Sequence, residues 1–244
     1  STVGCDESKL DTHIHANRKN ANKMPQLKIT YFNIQGPAEP ARLALTIGGI
    51  EFEDKRVTGD EMRAMRAAGK LLGGGQVPQL EIDGQVLSQS EAIARYCARI
   101  AGLYPDDPLK AARVDEVIQL VNQDIRGRCI EPTMREPDAE KKKAMRKELA
   151  DVKLPEKFAL LEKLLSPAGY FVGNSVTLAD LVTYVLCNWI GMEIIDGVPK
   201  EVVLNSPGLA KLVHKINSIP EVARWNEEKN AGKLPWFSPD AIKM

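Results

Sequence analysis

The stretch Leu27–Glu39, LKITYFNIQGPAE, constrains what this chain can fold into more than any other. Its alternation sets Leu27, Ile29 and Tyr31 on one face and Lys28, Thr30 and Phe32 on the other, the period of a half-buried β-strand running Leu27–Asn33. The chain breaks at Gly36-Pro37, and Ala38–Ile47 then carries a helical pattern that stops at Gly48-Gly49, a C-cap signal. A tyrosine delivered to the end of a strand, in front of a helix N-terminus, aims a phenolic O–H at a place that favours negative charge.

The following residues extend this start into a small α/β unit. Phe52–Val57 reads as a second strand and Asp60–Ala68 as a short helix with Asp60 as its N-cap candidate. Residues 69–75 hold three consecutive glycines and read as a flexible loop. Gln79–Ile82 and Gln85–Leu87 flank Asp83-Gly84, a hairpin signal, and Ser90–Ile100 reads as a helix. The order β-α-β-α-β-β-α is that of a thioredoxin-like domain. Two prolines and two aspartates mark a linker, and everything beyond reads as helical: Leu109–Arg126, Asp138–Leu165, Thr177–Met192, Pro207–Ser218 and Glu221–Asn230. Thr177 and Asp180 have the spacing of a capping box, with aspartate in place of the usual glutamate. The expected fold is therefore α/β plus all-α, an N-terminal thioredoxin-like domain followed by a C-terminal helical-bundle domain. Its boundaries are 27–101 and 110–244, with a linker at 102–109. Residues 1–26 read as a disordered extension or a remnant of cloning.

Several function classes are disfavoured by composition. Lysine plus arginine equals aspartate plus glutamate, 33 each, so no basic excess points to nucleic acid. The run Lys141-Lys142-Lys143 with Arg146-Lys147 is interleaved with Glu140 and Glu148, the pattern of a solvated helix face. Four cysteines at 5, 97, 129 and 187 form no CxxC pair, so neither a disulfide framework nor a zinc site is expected. Cys97 and Cys187 read as small buried hydrophobes, which fits reducing, cytoplasmic surroundings. The most apolar window, Leu181–Met192, is too short to span a bilayer and contains Asn188. Residues 1–24 have no apolar core and do not read as a secretory signal, and His13 and His15 lack a third ligand for a metal.

Tyr31-Phe32-Asn33, then Val77-Pro78-Gln79-Leu80, Asp83-Gly84, Gln89-Ser90-Glu91-Ala92-Ile93 and Gly173–Asp180 occur in one order. This set resembles the tyrosine-type cytosolic glutathione transferases, most of all the sigma-like class, from about Leu27 to about Leu234. The resemblance implies a transferase that conjugates glutathione to a small hydrophobic electrophile. Tyr31 would be the catalytic group, holding the glutathione sulfur as thiolate. A thiol with a pKa near 8.5 is mostly protonated at neutral pH, and lowering that value by about two units needs roughly 2.7 kcal/mol. One charge-assisted hydrogen bond contributes about 1.5–3 kcal/mol, so a single phenol nearly suffices.

The glutathione-binding set implied by the resemblance is Phe32, Arg66, Lys70, Gln76, Val77, Pro78, Gln89, Ser90, Gln123 and Asp124. The Val77–Pro78 bond would be cis, Ser90 would both cap its helix and meet the γ-glutamyl carboxylate, and Arg66 or Lys70 would meet the glycyl carboxylate. Gln123 or Asp124 would come from the second subunit of a homodimer. Phe32, Ile34 and Ile125 are expected to line the second-substrate pocket. No metal or redox cofactor, nucleic acid or membrane partner is implied, and the location would be cytoplasmic. The segment Tyr31–Pro37 has no cysteine, which excludes thiol–disulfide exchange there. Three positions depart from the family pattern. Gln35-Gly36-Pro37 stands where sigma-like enzymes usually read Arg-Gly-Arg, although Arg42 remains, and Met62 replaces a frequent tryptophan. Two other readings stay open: a non-catalytic ligand-binding or crystallin-like protein, and a glutathione-dependent isomerase or peroxidase.

Overall fold

Strand β1, Leu27–Phe32, sits inside a four-stranded sheet of order β2-β1-β3-β4. A computed structural model describes residues 24–230. Cys5, His13, His15 and the expected extension up to residue 23 lie outside the described residues, as does the end of the helical domain beyond 230. Of the expected extension, Gln26 is tied down, its N–H donating to the Asp83 carboxylate at 2.9 Å.

β1 runs parallel to β2, Glu53–Val57, and antiparallel to β3, Gln79–Ile82, which pairs with β4, Gln85–Ser88. The predicted face is buried at Leu27, Ile29 and Tyr31, but the strand lies inside the sheet and Thr30 of the opposite face is buried too. Asp83 and Gly84 both take positive φ, 46° and 86°, as a tight right-twisting hairpin requires. After β1 a single 3₁₀ turn, Gly36–Ala38, leads into α1, Glu39–Ile47. Helix α2, Gly59–Ala67, starts one residue earlier than expected, and Asp60 is not its cap. Thr58 is: its hydroxyl accepts from the Glu61 N–H, and the Glu61 carboxylate accepts from the Thr58 N–H at 2.7 Å. Helix α3, Ser90–Ile100, closes the unit. The whole is a thioredoxin-like mixed α/β domain.

The rest of the described chain is helical. α4, Pro108–Gln119, is capped by the Asp107 carboxylate. It runs on through a wider π-helical stretch, Leu120–Ile130, into the short α5, Glu131–Arg135. The single long helix expected over 138–165 is likewise three pieces: α6, Ala139–Glu148, a π stretch Leu149–Lys153, and α7, Leu154–Leu164. Both wide stretches end two residues before a proline, Pro132 and Pro155. A proline cannot donate to the preceding turn and crowds its carbonyl, so the helix opens there instead of stopping.

Then come α8, Leu178–Gly191, an unanticipated short α9, Glu201–Leu204, α10, Pro207–Asn217, and α11, Pro220–Asn230. Helix α8 is apolar nearly all round because it is central, packing on α1, α3, α4 and α10. Its start is held by Asp180, whose carboxylate accepts from the Thr177 N–H (2.7 Å), the Thr177 hydroxyl (2.8 Å) and the Phe171 N–H (2.9 Å). Burial raises the Asp180 pKa, and those three donors oppose the rise.

One buried cation joins the two halves. Arg42, fully buried in α1, donates to Asp54 of β2 (2.8 Å), to the carbonyl of Ile34 (2.8 Å) and to Glu39 (3.2 Å). Glu39 in turn accepts from the Trp225 indole N–H of α11 at 2.8 Å. Replacing only Arg42, as Arg42→Met, leaves the buried Glu39 without its cation and Asp54 with Arg56 alone. Urea unfolding should then show a loss of about 3–5 kcal/mol. Removing the exposed Arg113–Glu116 pair should leave the unfolding midpoint nearly unchanged.

Candidate active site

Tyr31 ends the buried face of β1, 6% exposed, with Phe32 edge-on to its ring at 5.2 Å. Its hydroxyl lies directly beneath the turn into α1: a Cβ at Gly36 would sit 2.8 Å from the phenol oxygen, and Gly36 has φ +47°. Glycine is thus required here twice, by conformation and by the closeness of the hydroxyl. The Arg42 guanidinium stands 5.6 Å from the ring centroid, within cation–π range. Burial raises the phenol's pKa above its ordinary value, while the charges of Arg126 first and Arg42 second pull it back down. The proton therefore stays on the oxygen throughout the neutral range, so Tyr31 is a hydrogen-bond donor there.

The glycine loop folds over the N-terminus of α3. Gly73, Gly74 and Gly75 have φ of 59°, 92° and 69°, and a Cβ at Gly73 would overlap the Ser88 hydroxyl at 1.9 Å. Gln89 reaches back to the Gly73 carbonyl (3.4 Å), and Arg66 binds the Gly75 carbonyl (2.6 Å). Arg66, in the last turn of α2, is thereby held against the loop that carries Gly75 and the exposed Gln76, next to Val77 and the buried Pro78, whose peptide bond is cis. Lys70 is exposed at the loop's other end. Ser90 is not the helix cap: that position is Gln89, held at φ 73°, ψ 112°, and its side chain makes no capping bond. The strained left-handed backbone at Gln89 turns the chain straight into the helix, leaving Ser90 in its first turn.

A cavity of about 260 Å³ lies between this turn and the helical domain. On one side it meets Gly36, Pro37 and Ser90, and on the other Val121, Arg126 and Trp189. The residues expected to line a second pocket are not among its walls. Ile125 is fully buried in the core. Ile34 points outward at 51% exposure because Arg42 draws its backbone carbonyl inward. Phe32 is occupied against Tyr31. Gln123 is exposed on the π stretch, and Asp124 pairs with Arg128 at 2.5 Å.

Sequence reasoning missed Arg126 and Trp189, whose guanidinium and ring stand 5.3 Å apart across α8 and the π stretch. No local signal marked Arg126, which follows the polar run Asn122-Gln123-Asp124 and has a second arginine, Arg128, two residues on. Cys97 and Cys187 are fully buried, and burial pushes both thiols up to about 12, so they are inert packing groups as expected. Among the described residues no group of three or more potential ligands is placed to hold a metal.

Residues 27–99 match the family described as "Glutathione S-transferase, N-terminal domain", and residues 123–229 match "Glutathione S-transferase, C-terminal domain". The chain is similar to Glutathione S-transferase 1 of Ascaris suum, 34% identical over 212 residues, 84% of this chain and 98% of that protein. It is also similar to hematopoietic prostaglandin D synthase of Gallus gallus, 32% identical over 206 residues, 84% of this chain and 98% of that one. The solved glutathione S-transferase of Ascaris lumbricoides superposes with a TM-score of 0.72 at 34% identity, covering 84% of this chain and 98% of its own.

The electrostatics of Tyr31 can be read directly. An alkaline ultraviolet titration of wild type minus Tyr31→Phe should show one phenol ionising above the ordinary value near 10. Arg126→Gln should push it higher still, because a counteracting cation is gone. A midpoint below 10, or a downward move in the variant, contradicts this geometry.

Proposed function

The chain belongs to the glutathione S-transferase family and is a transferase, and from that premise we propose that Tyr31 is the group that activates the glutathione thiol for attack on an apolar electrophile. The observation that carries the reading is the Tyr31 hydroxyl, protonated and held directly under Gly36, whose other side belongs to the cavity wall shared with Ser90 at the α3 N-terminus.

Glutathione would lie along the glycine loop. Its γ-glutamyl carboxylate would meet Ser90 and the free N–H groups at the start of α3, where the helix dipole favours an anion. Gln76 and the Val77 backbone would pair with the middle of the tripeptide, and Arg66 or Lys70 with the glycyl carboxylate. Gln123 or Asp124 of a second copy of the chain would approach the amine, which makes the working form a homodimer. The thiol proton leaves to solvent as the Tyr31 O–H hydrogen-bonds the sulfur anion. The sulfur lone pair then forms the S–C bond, and the electron pair of the breaking bond departs with the leaving group or moves onto the activating carbonyl, which is then protonated.

No metal or redox cofactor enters this chemistry. A cytoplasmic location fits the three buried thiols, and no helix among the described residues is long and apolar enough to cross a membrane. A glutathione-dependent isomerisation is a second reading, favoured by the relatives named as prostaglandin D synthases. Tyr31→Phe should lower kcat for conjugation of an aryl halide at least tenfold while the glutathione Kd changes by less than about threefold. Retained turnover in the variant would remove Tyr31 from the mechanism.

A further inference from the structure

Arg126 lines the helical-domain side of the cavity, where its ion pair with Glu131 is a long one. Its side chain is 29% exposed, and its nearest carboxylate oxygen, on Glu131, is 3.7 Å away, too long for a strong hydrogen bond. The other oxygen of Glu131 is taken by Arg135 at 2.7 Å. The second acid on the cavity wall, Glu91, is held by Arg95 (3.4 Å) and the Asn122 amide (3.3 Å). The contrast with Arg42 is direct, since that guanidinium is neutralised by Glu39 and Asp54. Around Arg126 the wall is hydrocarbon and indole: Ile118, Val121, Val182, Val185, Leu186 and Trp189. One face of the guanidinium is covered by the Trp189 ring. A guanidinium partly covered by an aromatic face and paired only at long range keeps donors that face the cavity and can exchange water for a ligand's carboxylate. Its planar fork of donors matches a carboxylate two-to-two, which an ammonium cannot do.

We propose that Arg126 selects the second substrate: an electrophile with a compact apolar body and a carboxylate, the body on Trp189 and the aliphatic wall, the acid paired with the Arg126 guanidinium. The proposal rests on reading this cavity as the cosubstrate site of a glutathione transferase. Arg126 is then a specificity-determining residue. It acts on which electrophile is held, while Tyr31 acts on the sulfur.

The test uses two aryl α,β-unsaturated ketones identical except that one carries a free carboxylic acid and the other its methyl ester. kcat/KM is measured for each at saturating glutathione on the full chain, and each value is divided by the uncatalysed rate with glutathione. Wild type should prefer the acid by about tenfold or more. Arg126→Met should bring the acid-to-ester ratio to about one, and Arg126→Lys should restore part of it, keeping the charge without the fork. Because the ratio is internal, partial misfolding of one variant lowers both substrates together and does not mimic the effect; the Lys variant supplies the second reading. An equal ratio in wild type, or a preference that survives in Arg126→Met, overturns the proposal. So does a variant in which glutathione Kd rises while acid and ester fall alike, since Arg126 would then serve the peptide. Failure of the underlying reading looks different: neither ketone nor a neutral aryl halide would be consumed by wild type.

Discussion

Everything near the candidate site hangs on one buried guanidinium. Arg42 binds the end of β1 through the carbonyls of Ile34 and Phe32, α1 through Glu39, and β2 through Asp54. Asp54 passes the link to Arg56, which reaches Asn33 and the Lys229 carbonyl, and Glu39 passes it to Trp225. Strand end, turn, α1 and α11 are thereby fastened at one point, with two cations and two anions in balance. Such a cluster is stabilising only while complete, because each member would be costly to bury alone. Its function is positional: the Tyr31 ring sits beside Arg42, under the turn the cluster shapes.

That fastening resolves a tension in the site. A tyrosine serves as donor to a sulfur anion only if it keeps its proton, which burial favours, and only if the anion is not itself penalised by burial, which positive charge relieves. The two needs are met from different sides. The sheet buries the ring and keeps its proton on, while the charges of Arg126 and then Arg42 partly offset that burial. On the proposed reading, both halves of the chain therefore act on the electrostatics of Tyr31. The π stretch that carries Arg126 ends just ahead of Pro132, so the proline's effect on the helix is part of how that face is presented.

Local rules made much of this legible in the sequence. The alternation of Leu27–Phe32, the Asp83-Gly84 turn and the Thr177–Asp180 spacing each need only a few adjacent residues, and each stands in the structure where it was read. The Thr58–Glu61 box was equally readable, but Asp60 offered a competing cap and drew the assignment two residues on. Prolines 132 and 155 were readable as residues, though not as openings within continuing helices, since a proline more often ends one. The four-residue α9 is too short to show a period. The cavity was the least legible part. Ile125 is apolar and close in sequence to the site, yet it faces the core, whereas Trp189 and Arg126 meet only through the packing of α8 on the neighbouring helices.

The account turns on whether a bound thiol loses its proton more easily than a free one. Adding glutathione to the protein and following the thiolate absorbance near 240 nm as a function of pH measures this directly. The account predicts an apparent thiol pKa about two units below the free value near 8.5, and a return most of the way toward it in Tyr31→Phe. Glutathione that binds with its thiol still titrating near 8.5 would contradict it.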